Sequence, residues 1–143
     1  MIKGMMNKYL FIDLTNRKFE FRTPKEGLFN QFIGGKGLGL KILMDEGLIT
    51  QDPFSPENPL VFTTGPFTGS RVQTSARSTL VTKSPLTGTF LDSHVGGHLG
   101  PQIKRAGVDY IFVTGKSEKN RGQTGIPLTI MHRPQPLQSI IRM

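Results

Sequence analysis

Apolar positions along the chain fall into short runs whose spacing alternates between two residues and three to four. Residues 8–13 (KYLFID) and 17–22 (RKFEFR) are apolar-rich, the second alternating with Phe19 and Phe21 on one face, and Leu14-Thr15-Asn16 separates them. This pattern predicts a β-hairpin. Thr23-Pro24-Lys25-Glu26 then sets Thr at an N-cap, Pro at the first helical position and Glu at the third, both halves of a capping box. A helix is expected to start there, burying Leu28, Phe29, Phe32 and Ile33 and stopping at Gly34-Gly35. A second helical pattern over residues 38–46 places Leu40, Leu43 and Met44 on one side and closes at Gly47.

Residues 50–59 (TQDPFSPENP) carry three prolines and no periodicity, which predicts a loop of defined path. Short strands are expected over residues 60–64, 77–83 and 89–91, the last two joined by a turn at Ser84-Pro85-Leu86-Thr87-Gly88. Residues 96–106 read as a helix, since Pro101 is tolerated only in a first turn, Lys104 and Arg105 suit a C-terminal end and Gly107 is a stop. A further strand is expected over residues 109–113. Hairpins with helices beside them, and no regular βαβ alternation, give an α+β fold with mixed or antiparallel sheets and a few short helices. From residue 117 to 143, Gly, Pro, Gln and Arg recur without period, and no amphipathic face is specified.

Composition changes this picture in two places. With 143 residues the chain has room for one domain with a real core. The absence of cysteine rules out disulfides, a thiolate-held iron–sulfur cluster, a Cys-based zinc site and a cysteine nucleophile within it. The net charge of +8 invites a nucleic-acid reading. Half of that excess, however, comes from Lys116, Lys119, Arg121, Arg133 and Arg142 against Glu118, and the rest is spread without runs. Tyr9-Leu10-Phe11-Ile12 is too short for the core of an export signal, and no apolar run approaches the length of a membrane span, so a cytoplasmic protein without membrane contact is expected.

Two short motifs have bland readings as well as functional ones. Gly34-Gly35-Lys36-Gly37-Leu38-Gly39 offers backbone N–H groups and a Lys at a helix start, the ingredients of an anion site. The same glycines could serve only to turn the chain between two helices. His94 and His98 lie four residues apart beside Asp92, a zinc spacing if one helix carried both, but Gly96-Gly97 argues against such a helix. The stretch from Gly65 to Gly107, rich in glycine and hydroxyl side chains with Arg71, Arg77 and Lys83, would make a poor core but a good cradle for a large phosphorylated ligand.

That stretch, with SPENPL at 55–60 and GGKGLG at 34–39, resembles the N-terminal domain of the tungsten-containing aldehyde ferredoxin oxidoreductase family. SPEN-x-L, GP-x-TG, VTKSPLTG, the GG-x-x-G of residues 96–100 and AG-x-D-x-I-x-V-x-GK occur in that family's order. Residues 1–116 are thereby identified as the first half of the family's N-terminal cofactor-base domain. The unmatched segment beyond Lys116, residues 117–143, is expected to be a disordered or frame-shifted tail.

The resemblance implies oxidation of aldehydes to carboxylic acids with ferredoxin as electron acceptor, at a tungsten or molybdenum bis-pterin with bridging magnesium. It implies that Arg77 contacts cofactor phosphate, that Gly96 and Gly97 lie beside the cofactor, and that the backbone carbonyl of His94 is a magnesium ligand. Many members carry Asn at this position, and a main-chain ligand survives the change. The family's 4Fe–4S cysteines and catalytic acid and base lie in later domains absent here, so no catalytic residue is assigned and a complementing chain is a candidate partner. Two other readings stand beside it, a small basic nucleic-acid-binding module, which the charge distribution disfavours, and a non-catalytic structural or interaction subunit.

Overall fold

The computed structural model describes residues 3–47 and 50–117. One six-stranded sheet organises them: β1 (Tyr9–Asp13), β2 (Lys18–Arg22), β3 (Leu60–Thr63), β4 (Ser78–Lys83), β5 (Phe90–Val95) and β6 (Tyr110–Thr114), in the spatial order β2-β1-β6-β3-β4-β5. Every pairing is antiparallel except β1 with β6, which run parallel with Tyr9 opposite Tyr110 and Phe11 opposite Phe112. The mixed sheet with short helices is the expected fold class. The last described strand thus enters the middle of the sheet and joins two hairpin layers that the chain built earlier.

Period-two alternation sorts side chains onto two faces. On one face Tyr9, Phe11, Val61, Val81, Tyr110 and Phe112 pack under helices α1 (Leu28–Gln31) and α2 (Gly35–Asp45). The in-register parallel pair stacks Tyr9 on Tyr110 with ring centroids 4.4 Å apart, and Phe11 on Phe112 at 5.6 Å. The opposite face gathers Leu10, Ile12, Phe62, Ile111 and Val113 against Leu99 and Ile103 of helix α3 (Leu99–Arg105). Each fully buried Val, Leu or Ile contributes about 1.5–3 kcal/mol relative to exposure, which makes these two layers the main source of stability.

Three local expectations are corrected, and the doubt about a shared His94–His98 helix is met. The Thr23 capping box does not start a helix: Pro24 is buried, and α1 is a single turn that begins after Gly27, whose φ of 78° reverses the chain and whose carbonyl accepts the Asn30 N–H. Gly35 is the first residue of α2 and not the stop of α1, and Ile33 is exposed. Strand β5 runs four residues past the predicted end at Leu91, because its pairing with β4 continues from Lys83–Phe90 to Ser78–Val95. His94 therefore sits on a strand while His98 is the N-cap of α3, and no helix brings the two imidazoles to one face.

A charged pair lies inside the fold. Lys104 of α3 and Asp109 are 2.5 Å apart, with side chains only 6% and 0% exposed. The Asp109 carboxylate also accepts the backbone N–H groups of Met6 and Asn7, and the Lys104 ammonium donates to the Gly4 carbonyl. These bonds fasten the segment before β1 beneath the sheet. Among the described residues no helix is long and apolar enough to cross a membrane. The predicted tail falls almost entirely outside the described residues.

Candidate functional site

The end of β3, the start of β4 and the end of β5 meet at the N-terminus of α2. Glycine makes this meeting possible at two points. A Cβ on Gly34 would lie 2.4 Å from the Thr64 carbonyl oxygen, and one on Gly39 would lie 2.4 Å from a methyl of Val81. The glycine-rich motif thus presses α2 onto the sheet, and the same helix start borders an open cavity of about 360 Å³. Gly35, Lys36, Thr64, Arg77, Thr79 and His94 form part of its wall.

Threonine hydroxyls hold that wall in place. Thr63 donates to the carbonyls of Gly35 (2.9 Å) and Thr79 (3.2 Å), and Thr64 donates to the Asp109 carbonyl at 2.6 Å. Thr68 accepts the Gly65 N–H at 2.9 Å and donates to the Arg77 carbonyl at 3.2 Å. Each buried hydroxyl satisfies a backbone group that would otherwise be desolvated at a cost. The loop of residues 64–77 is thereby tied to the sheet at both ends, and a polar sequence with few core residues keeps a defined shape.

The charged groups are arranged unequally. Asp92 Oδ1 lies 2.8 Å from Lys36 Nζ and its Oδ2 lies 3.1 Å from His94 Nε2, while His94 Nδ1 lies 3.0 Å from the Thr79 hydroxyl. The Lys36 ammonium, by its hydrogen bond and then by its charge, holds the Asp92 carboxyl below the usual carboxylate range against a smaller opposing effect of burial. Arg77 is exposed on the cavity wall, and among the described residues its guanidinium has neither hydrogen bond nor ion pair.

Of the residues singled out in the sequence, Arg77 and His94 share this cavity. Gly96 and Gly97 follow β5 directly and border open space outside the wall. Arg71 is not in the wall, and Lys83 stands at the other end of β4, donating to the Gln51 carbonyl. Among the described residues no group of three or more His, Asp, Glu or Cys could hold a metal ion through side chains. Sequence reading missed the pairing of Asp92 with Lys36 and the part played by Thr63, Thr64 and Thr79. The available signal was the alternation Phe90, Asp92, His94, which puts the last two on one face of a strand.

Residues 9–122 match the family model described as aldehyde ferredoxin oxidoreductase, N-terminal domain. A tungsten-containing aldehyde ferredoxin oxidoreductase of Pyrococcus abyssi is 39% identical over 115 residues, 80% of this chain and 19% of that protein. The glyceraldehyde-3-phosphate:ferredoxin oxidoreductase of Pyrococcus furiosus is 43% identical over 68 residues, 48% of this chain and 10% of that protein. Among solved structures, a chain of the active-site complex BamBC of benzoyl coenzyme A reductase with 1,5-dienoyl-CoA superposes with a TM-score of 0.79 and 34% identity, over 83% of this chain and 18% of that one. The chain spans about a fifth of the length of the Pyrococcus abyssi enzyme and of the matched benzoyl coenzyme A reductase chain.

Proposed function

Because the chain belongs to the aldehyde ferredoxin oxidoreductase family, we propose that residues 9–116 supply part of the base on which a tungsten or molybdenum bis-pterin rests, within an oxidoreductase that takes aldehydes to carboxylic acids and passes electrons to ferredoxin. When bound, that cofactor supplies the redox chemistry. This chain's residues bind and orient it. The observation that carries the reading is Arg77, a guanidinium in the cavity wall that has no protein partner among the described residues. A planar fork of N–H donors suits a phosphate oxygen pair, and charge-assisted bonds of this kind are the strong ones.

Gly96 gives an independent test of fit. Its φ lies outside the left-handed region and a Cβ there would meet nothing within 4 Å, so neither conformation nor packing in this chain requires glycine. Space kept clear just past the end of the strand that carries His94 suits the close approach of a bulky ligand to backbone. His94 lies on β5, the edge strand of the sheet, where alternate carbonyls have no strand partner and one can face a magnesium ion. With no cysteine in its sequence, the chain relies on other domains or a complementing chain for the 4Fe–4S cluster.

Titrating the purified chain with extracted pterin cofactor, followed by the pterin fluorescence, tests the proposal. Arg77→Ala should weaken binding about ten- to a hundredfold, the worth of one charged hydrogen bond, with the melting temperature little changed. Undiminished binding by Arg77→Ala, or equal capture of a DNA oligonucleotide, would count against the cofactor-base reading.

A further inference from the structure

Lys36, Asp92 and His94 form a charge cluster that the cofactor-base reading leaves without a role. Asp92 and His94 stand on the same face of β5, and the ammonium that Asp92 holds comes from the first turn of α2, with two strands of chain between them. Both carboxylate oxygens are committed, one to Lys36 and one to His94. The second nitrogen of His94 is committed to Thr79. Of the three basic side chains in this wall, Lys36, His94 and Arg77, two are therefore engaged by a carboxylate belonging to the protein, and among the described residues Arg77 has no such partner.

We propose that Asp92 is a specificity-determining residue of the cavity. It fills the anion position between Lys36 and His94 and leaves Arg77, among the described residues of this wall, as the guanidinium without a carboxylate partner. The site thereby favours one phosphate monoester carried on a larger body over small, multiply charged inorganic anions. The inference rests on the cofactor-base reading above for the role of Arg77.

An isolated ammonium attracts an incoming anion with an energy that falls as the inverse of distance, whereas an ammonium with a carboxylate 2.8 Å away acts as a short dipole whose attraction dies off faster. A pyrophosphate ion, which needs more than one cation, then finds only Arg77. A ligand with an apolar or flat body has a second source of binding in Phe67, a wall residue that is 65% exposed. Rejection of the wrong ligand by a built-in like charge is a general route to selectivity.

Calorimetric titration of the full 143-residue chain with inorganic pyrophosphate tests this. Asp92→Asn, which keeps the side-chain shape, should bind pyrophosphate roughly fivefold tighter than the unaltered chain, and adding Lys36→Met should remove the gain. Lys36→Met alone should change the affinity by less than about twofold, since Lys36 is already neutralised. Equal or weaker binding by Asp92→Asn, a gain that survives Lys36→Met, or no pyrophosphate binding by any variant overturns the proposal. If circular dichroism shows Asp92→Asn to be unfolded, Lys36→Met decides alone: a fivefold loss would mean Lys36 was free to bind anions all along. Arg77→Ala in the Asp92→Asn background separates the two readings. Unchanged affinity there defeats the cradle role of Arg77 while leaving the Lys36–Asp92 result intact.

Discussion

Replacing Asp109 by Ala tests how the wall of the cavity is supported. Asp109 is fully buried, and its carboxylate joins three things: the Lys104 ammonium 2.5 Å away, the Met6 N–H at 3.0 Å and the Asn7 N–H at 2.7 Å. Its backbone carbonyl accepts both the N–H and the hydroxyl of Thr64, at the cavity wall. Among the described residues, Asp109→Ala leaves a buried ammonium with the Gly4 carbonyl and the Met5 sulfur alone, and leaves two backbone donors unpaired. Removing one member of a buried ion pair costs about 3–5 kcal/mol, and each orphaned donor adds about 1–3 kcal/mol if it stays dry. The full sum is not reached, because residues 4–7 can peel from the sheet and let water reach Lys104, at the expense of the buried Met5 side chain.

A loss near 3 kcal/mol is therefore expected, a large share of the roughly 5–15 kcal/mol that holds a typical domain. Urea denaturation followed by far-ultraviolet circular dichroism measures it. Lys104→Met should also destabilise, because it strands the carboxylate, and the double variant Lys104→Met/Asp109→Ala should lose much less than the two single losses combined. A loss below about 1 kcal/mol for Asp109→Ala, or strict additivity in the double variant, would refute the view that this pair carries uncompensated charge when broken.

Three further outcomes are expected. Gly39→Ala should cost about 1–3 kcal/mol by overpacking, because the new Cβ meets Val81 at 2.4 Å and α2 must lift from β4; thermal melting checks this, and an unchanged midpoint would contradict it. Gly96→Ala should leave stability unchanged or raise it by up to about 1 kcal/mol, while pterin titration shows weaker binding; unaltered affinity would remove Gly96 from the site. Asp13 accepts hydrogen bonds from the Asn16 side chain and backbone, which hold its carboxyl below the usual 3.8. Being depressed in the folded state, it contributes stability above the unfolded-chain value that is lost as pH falls through the folded one. Asn16→Ala should move its titration, followed by nuclear magnetic resonance, back toward 3.8, and no movement would refute the assignment.

What the sequence determined by itself is local. The β1–β2 hairpin, the Ser84–Gly88 turn, where the Gly88 N–H donates to the Ser84 carbonyl, and the stop of α2 at Gly47 follow from alternation and turn chemistry that neighbouring residues settle among themselves. The family was legible too, because its motifs are short, ordered and spread over most of the chain. The tertiary structure decided the rest. Thr23 to Glu26 has the local pattern of a helix start, but burying Pro24 beside a Gly27 turn won over capping, and only one helical turn followed. Residues 92–95 lack a strand's apolar signature because His94 lines a cavity and Asp92 pairs with Lys36 and His94, so pairing with β4 and not propensity extended the strand. The placement of β6 between β1 and β3, and the meeting of Lys36 with Asp92, join segments distant in the chain. No local pattern encodes which distant partner lowers the free energy most; that choice is made when both faces of the sheet are buried at once.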